Sequence, residues 1–328
     1  MPVIPFDAAV DVAAAALRRC RTSEANATLV AKALVTAEAE GLVSHGLLRL
    51  PIYAAQTRVG KIDGHAVPEV SNPRPALLWI DAKNGFAYPA MQKAVQTLPV
   101  LARAQGIAAA AIRRSHHCGV AGHQVGRLAE AGMIALLFAN APAAMAPWGG
   151  NRPVFGTDPI AFGCPLPDRE PIIIDMSLSK VARGQILAAS RKGEAIPEGW
   201  ALDPEGNATT DPEAALAGTM VPLGDAKGTA LALMVELLAA GLSGAFYGYE
   251  ASSFLDAEGP PPGTGQFIIA IDAAAFGDAL HRFAAIAHVI EKQPGARLPG
   301  VRRTAALKRA QAGGVNVDER LLAEIEAL

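Results

Sequence analysis

Between residues 76 and 139 the chain alternates strand, helix, strand, helix and strand. Residues 76–81 (Ala-Leu-Leu-Trp-Ile-Asp) form a short apolar run. Helical spacing follows over 89–105, a β-type run over 106–112, helical spacing over 119–131 and a second apolar run over 133–139. This alternation predicts a mixed α/β architecture, because each strand needs a helix to cover its apolar face.

Helical patterning flanks that body on both sides. Residues 6–20 and 23–40 read as amphipathic helices. Thr22 and Ser23 are candidate caps for the second, and Gly41 is its candidate stop. The motif at 44–53 would open a third helix, with Pro51 bending its interior. Residues 227–240, 272–293, 301–312 and 318–328 read as helices, and 172–175 and 266–272 as short strands. The stretch from about 141 to 226 is rich in Gly and Pro and reads as turns. The expectation is a central mixed α/β body, residues 71–274, with helical segments 1–70 and 275–328 packed together and a cleft between the two regions.

Composition narrows the function classes. Apolar residues make up 51% of the chain and charged residues 18%, which implies a generous core. A net charge of -2 and 5% aromatics argue against a nucleic-acid partner or a membrane surface. Cys20, Cys118 and Cys164 lie far apart and form no disulfide or zinc pattern, which points to a reducing cytoplasm. Asp7 and Asp11 stand where a signal peptide needs basic and then apolar residues. Glu236 and Gly241 interrupt the longest apolar stretch, so no membrane span is expected.

Two segments carry chemistry. Ser44-His45-Gly46-Leu47-Leu48-Arg49-Leu50-Pro51-Ile52-Tyr53 spaces an imidazole, a guanidinium and a phenol four residues apart. On one helix face these would grip a small carboxylate and move a proton beside it; an ordinary polar helix face reads the same way. Arg114-Ser115-His116-His117-Cys118-Gly119 lies where a strand gives way to a helix. General acid/base work suits one of its histidines better than a metal does, because adjacent imidazoles with no local carboxylate ligate poorly. Further on, Asp175-Met176-Ser177 resembles a helix start able to bind phosphate or ribose. Lys227 opens a helix against the dipole preference, which suggests a functional contact. No G-x-G-x-x-G stands between a strand and a helix, so the ordinary dinucleotide fingerprint is missing.

Together these motifs resemble the type-2 malate/L-lactate dehydrogenase family, which includes ureidoglycolate and sulfolactate dehydrogenases and Δ1-piperideine-2-carboxylate/Δ1-pyrroline-2-carboxylate reductases. The resemblance runs from Ser44-His45-Gly46 through 114–119, Gly156-Thr157-Asp158-Pro159, 175–179, Pro197-Glu198-Gly199-Trp200-Ala201 and Lys227-Gly228 to Leu298-Pro299-Gly300. It implies a non-Rossmann fold, an NAD(P)H-dependent oxidoreductase, a small carboxylate substrate and a homodimer, and the residues themselves point to no metal. It implies substrate and dimer duties for 1–70 with 275–328, and NAD(P) binding for 71–274. Ser44, His45, Arg49, Tyr53 and His117 match the family's catalytic positions, with either histidine as proton donor. Asn140, Asp175, Met176, Ser177 and Lys227 match its cofactor stretches, and 297–303 is a further candidate. Asp158 stands where Asn is usual, Cys118 where an aromatic is common and Gln185 where Lys is frequent. An open-chain 2-oxo acid, malate- or sulfolactate-like, is the favoured substrate, and a cyclic 2-imino acid is the alternative.

Overall fold

The computed structural model describes residues 2–328. The chain opens with β1 (Val3–Ile4), α1 (Phe6–Arg19) and α2 (Glu24–Ala39). Ser23 is the cap of α2 and accepts from the backbone N–H of Asn26. After α2 come two single 3₁₀ turns, Val43–His45 and Leu47–Arg49, and only then α3 (Leu50–Val59). This corrects the expectation of one helix face through 44–53. Gly46 lies against Glu38, where a Cβ would meet Oε2 at 2.1 Å. The same carboxylate accepts from the Leu47 N–H at 2.9 Å. Pro51 falls in the first turn of α3, where a missing N–H costs nothing, so it bends no helix.

The body begins with β2 (Glu69–Arg74), β3 (Leu77–Asp81), α4 (Ala87–Gln105), β4 (Ile107–Ser115), α5 (Ala121–Glu130) and β5 (Met133–Ala139). It continues with β6 (Ile160–Leu166) and β7 (Arg169–Met176). A smaller lobe holds α6 (Arg183–Lys192), β8 (Ala201–Leu202), β9 (Ala208–Thr209), α7 (Pro212–Ala217) and β10 (Thr219–Met220). Then α8 (Ala226–Glu236) runs into a π-helical segment, Leu237–Gly241, and β11 (Thr264–Asp272) returns to the large sheet. Asp175 and Met176 are therefore the exit of a strand, and the next helix starts only at Arg183. The reading of that segment as a helix start does not hold.

Seven strands form the large sheet in the order β2-β3-β4-β11-β5-β6-β7. Only β3 and β4 run parallel. The late strand β11 sits at the centre, pairing Ile268 with Ala110 on one side and Leu137 on the other. Its pleat divides the core. Ile268 and Ala270 pack in the layer with α4 and α5, while Phe267 and Ile269 pack in the layer with Ala232, Val235 and Ala239. The edge strand β2 carries Pro73 and is exposed along its length, so no apolar alternation marks it in the sequence.

The chain ends with α9 (Ala279–Glu291), α10 (Val301–Gly313), β12 (Val315–Asn316) and α11 (Glu319–Ala327). The helical ends pack together as expected. β1 pairs with β12, and the Arg19 guanidinium donates to the carbonyls of Ile325 and Glu326 in α11. Helix α9 takes the other side. Its Phe283, Ala287 and Ile290 pack on Leu166 and Ile172 at the β6–β7 edge. The helix expected over 272–293 is split by a short 3₁₀ turn and by Gly277 at φ 62°.

Candidate active site

The 3₁₀ turns after α2 and the loop after β4 meet beside α3. Tyr53, fully buried in α3, places its hydroxyl 2.8 Å from His117 Nδ1 and 3.4 Å from the Tyr88 hydroxyl. The rings of His45 and His117 stack 5.2 Å apart at 11°. Arg49 donates from Nε to the Ser44 carbonyl at 2.8 Å. That bond aims the guanidinium, while its Nη1 is buried with no partner, as is His45 Nδ1. Ser44 is exposed and lies against α6, where a Cβ on Gly184 would sit 3.5 Å from the Ser44 Cβ. The small lobe therefore closes on the motif from the far side. All five sequence-predicted catalytic residues gather in this one place.

The chain between α8 and β11 supplies a wall. Phe254 packs against His116 at 4.9 Å and His117 at 5.4 Å. Its segment is pinned by the buried Lys61, whose ammonium donates to Asp256 Oδ1 and O at 3.2 Å and to Glu258 O at 2.5 Å. Gln56 Nε2 donates to the Asp256 carbonyl at 2.7 Å. His116 turns inward against Tyr53 and Phe254, and both its ring nitrogens are buried without partners. It packs between these two rings, and among the described residues no three His, Cys, Asp or Glu side chains gather as a metal site would need.

The site favours neutral imidazoles. Burial first, and then the Arg49 charge, push His45 down to about 4 and His116 down to about 3, and hold His117 well below the usual histidine range. Arg303 and His123 add to the effect at His45. Burial raises Tyr53 to about 12 and Tyr88 well above an ordinary phenol, so both stay protonated. These are the conditions of a dry site that holds an anion beside neutral donors.

The five expected cofactor residues have different surroundings. The Asn140 amide is spent inside the fold. It donates to Glu236 Oε2 at 3.1 Å and Phe246 O at 2.8 Å, and it accepts from the Gly265 N–H at 2.8 Å. Asp175 accepts from the Gly122 N–H, at the start of α5, at 3.0 Å and pairs with Arg303 at 3.3 Å. Met176 and Lys227 are exposed and Ser177 is half-buried. Lys227 belongs to a second cluster. The Trp148 N–H donates to Thr229 Oγ1 in α8 at 2.8 Å, and the Leu223 N–H donates to the Leu178 carbonyl at 2.7 Å. Trp148, Met176 and Leu223 leave apolar surface uncovered there, 55%, 47% and 41% exposed. Among the described residues Lys227 has no carboxylate within ion-pair distance. An apolar ledge with an unpaired ammonium fits a dinucleotide, whose ring stacks and whose phosphates need a cation.

Sequence reasoning missed Tyr88, Phe254, Lys61 and Glu236. A buried tyrosine in the first turn of α4 is a faint signal for the first. Nothing local marks the others, since each acts across a long sequence separation. Arg303 lies within the 297–303 segment singled out for cofactor duty, and the fold ties it to Asp175.

The fold sets a pair of stacked imidazoles and a buried guanidinium beside a sheet whose one parallel βαβ unit, β3-α4-β4, lacks the glycine-rich dinucleotide fingerprint. The family model described as malate/L-lactate dehydrogenase matches residues 4–326, and the chain belongs to that family. It is similar to the (2R)-3-sulfolactate dehydrogenase (NADP(+)) of Chromohalobacter salexigens, 49% identical, covering 99% of this chain and 97% of the relative. It is similar to the Δ1-pyrroline-2-carboxylate reductase of Ancylobacter novellus, 41% identical, covering 93% and 91%. Its fold matches the crystal structure of Δ1-piperideine-2-carboxylate reductase from Pseudomonas syringae pv. tomato. That match has a TM-score of 0.94 and 35% identity, and covers 100% of this chain and 99% of the other. The protein is thus an NAD(P)H-dependent dehydrogenase or reductase. No helix among the described residues is long and apolar enough to cross a membrane.

Proposed function

We propose that the protein transfers a hydride between NAD(P)H and C2 of a small 2-oxo or 2-hydroxy acid, malate- or sulfolactate-like. The observation that carries the reading is Arg49, with one nitrogen tied to the Ser44 carbonyl and Nη1 buried without a partner. A substrate carboxylate would pair with this guanidinium through charge-assisted hydrogen bonds, which would fix C2 beside the imidazoles. Ser44 and Tyr53 order the same space. A proton from the His45/His117 pair reaches the substrate oxygen. Lys227, Ser177, Met176, Asp175 and Asn140 line or brace the cofactor stretch. Bound reduced nicotinamide supplies the hydride. The cyclic-imine reading has its own support in the Ancylobacter and Pseudomonas syringae relatives.

The helical ends, 1–70 with 275–328, carry the carboxylate clamp, and 71–274 carries the cofactor. Two chains pair as a homodimer. The exposed Leu233, Leu237, Leu242 and Phe246, on α8 and the turn after it, support a contact there. Light scattering behind a sizing column tests it, with monomer mass at micromolar concentration against the proposal. Three free, buried cysteines suit a reducing cytoplasm.

The test of substrate follows NADH and NADPH oxidation at 340 nm with oxaloacetate, pyruvate, sulfopyruvate, Δ1-pyrroline-2-carboxylate and Δ1-piperideine-2-carboxylate. Selective turnover of an oxo acid is expected. Turnover of the cyclic imines alone transfers the chain to the imine-reductase branch.

A further inference from the structure

The two buried phenols beside His117 have a direction. A phenol has one proton to donate and an oxygen that accepts. Among the described residues the Tyr88 hydroxyl has a single hydrogen-bond partner, the Tyr53 hydroxyl at 3.4 Å. Tyr88 is 6% exposed, and its hydroxyl fills the space that a side chain at position 119 would need. A Cβ on Gly119 would lie 2.7 Å from it. The chain of hydroxyls therefore ends at Tyr88. If Tyr53 donated to Tyr88, the Tyr88 proton would be buried with no acceptor, which costs more than the bond returns. The satisfied arrangement runs the other way, from the Tyr88 O–H to the Tyr53 oxygen and from the Tyr53 O–H to His117 Nδ1. A neutral imidazole that accepts at Nδ1 carries its hydrogen on Nε2. His117 Nε2 has no partner in the protein, and unlike both nitrogens of His116 it is not sealed from solvent.

We infer that Tyr88 is a positioning residue for the reaction: through Tyr53 it holds His117 as the Nε2–H tautomer, a fixed hydrogen-bond donor to the reacting oxygen, and leaves His45 to deliver the proton. The inference rests on the 2-oxo acid reading and divides its labour. Protonating His117 would force Nδ1–H toward Tyr53, reverse both phenols and orphan the Tyr88 proton. Protonating His45 reverses no neighbouring hydrogen bond, because its buried Nδ1 is engaged with no other group. The two rings stack with centroids 5.2 Å apart, so both imidazoles border the same space.

The step balances. Bound reduced nicotinamide would supply the hydride for the new C2–H bond and be left oxidised, while the C=O π pair moves to oxygen. The His45 imidazolium proton forms the O–H bond and leaves neutral imidazole, which solvent recharges. His117 keeps its proton throughout. The groups that face His45 are Arg49, Arg303, His123 and His117. A carboxylate seated on Arg49 offsets the largest of those charges and lets His45 take up its proton as substrate binds.

Nitrogen-15 histidine NMR of the full-length protein tests the inference, with the His117 signals assigned by their loss in His117→Gln. The expected wild-type spectrum at pH 7 has a bare, hydrogen-bonded Nδ1 and a protonated Nε2. Tyr88→Phe should mix the tautomers and lower kcat about fivefold with KM within about twofold. His117→Gln, which keeps a neutral donor, should retain the pH dependence of kcat, and His45→Gln should abolish it. An Nδ1–H tautomer in the wild type overturns the inference without any variant. So does a pH profile lost in His117→Gln and kept in His45→Gln. The tautomer readout uses no substrate, so an enzyme silent on the oxo acids defeats the substrate reading separately.

Discussion

Arg49 is anchored through Nε and has no protein partner at Nη1, so its removal reads out substrate binding directly. Arg49→Ala should cost about 2–5 kcal/mol in kcat/KM for the oxo acid, as for deleting one partner of a buried charge pair. Unchanged kinetics would remove Arg49 from the clamp. A second residue breaks a local preference. Asp158 is wholly buried at φ 38°, accepts from the Ala141 N–H at 3.2 Å with Oδ1 and leaves Oδ2 unpartnered. Burial and the nearby Glu236 raise its carboxyl well above the usual range, and burial pushes Glu236 up to about 7. Raised carboxyls in the folded state mean that the fold binds protons the unfolded chain has lost, so their contribution falls as pH rises from about 4 toward 7. Asp158→Asn tolerates the positive φ and removes one such proton. It should raise Tm at pH 8 relative to wild type by more than at pH 5, and a uniform shift in thermal melts would count against this account.

At the scale of elements, the segment bearing Phe254 is held to α3 by buried Lys61 and by Gln56. Lys61→Met keeps the volume and deletes three donated bonds. Hydrogen exchange over 253–260 should accelerate, with KM rising as Phe254 leaves the histidines. Unaltered exchange would show that the segment is fixed by other contacts. Most elements were legible in the sequence, because α4, α5, β4 and β5 bury one regular face each. The failures have physical causes. Residues 44–53 have helix-compatible spacing, but the approach of Gly46 to Glu38 breaks the run into 3₁₀ turns. β2 has a strand's geometry without a strand's pattern, because neither face is buried. The candidate site was legible as a group because Ser44, His45, Arg49 and Tyr53 lie close in sequence. Tyr88, Lys61 and Phe254 join them only through the fold, so no local pattern announces them.

For the whole molecule, three imidazoles that stay neutral in the fold make the protein sensitive to acid. His45, His116 and His117 have folded values below the ordinary one, so stability holds above about pH 6.5 and falls as pH drops and the unfolded chain takes up protons that the fold refuses. Thermal melts should lose Tm between pH 6.5 and 4, and His116→Phe should flatten that loss. A slope unchanged by the substitution would exclude His116 as a contributor. The position of β11 has a consequence for biosynthesis. β4 and β5 have left the ribosome well before Thr264–Asp272, the strand that separates and pairs both of them. Until it emerges the nascent chain carries two open, apolar strand edges, and the N-terminal helices wait longer still for α11. A chain of this design is committed to late closure, and its window of exposure to chaperones and to aggregation is set by translation speed between β5 and α11.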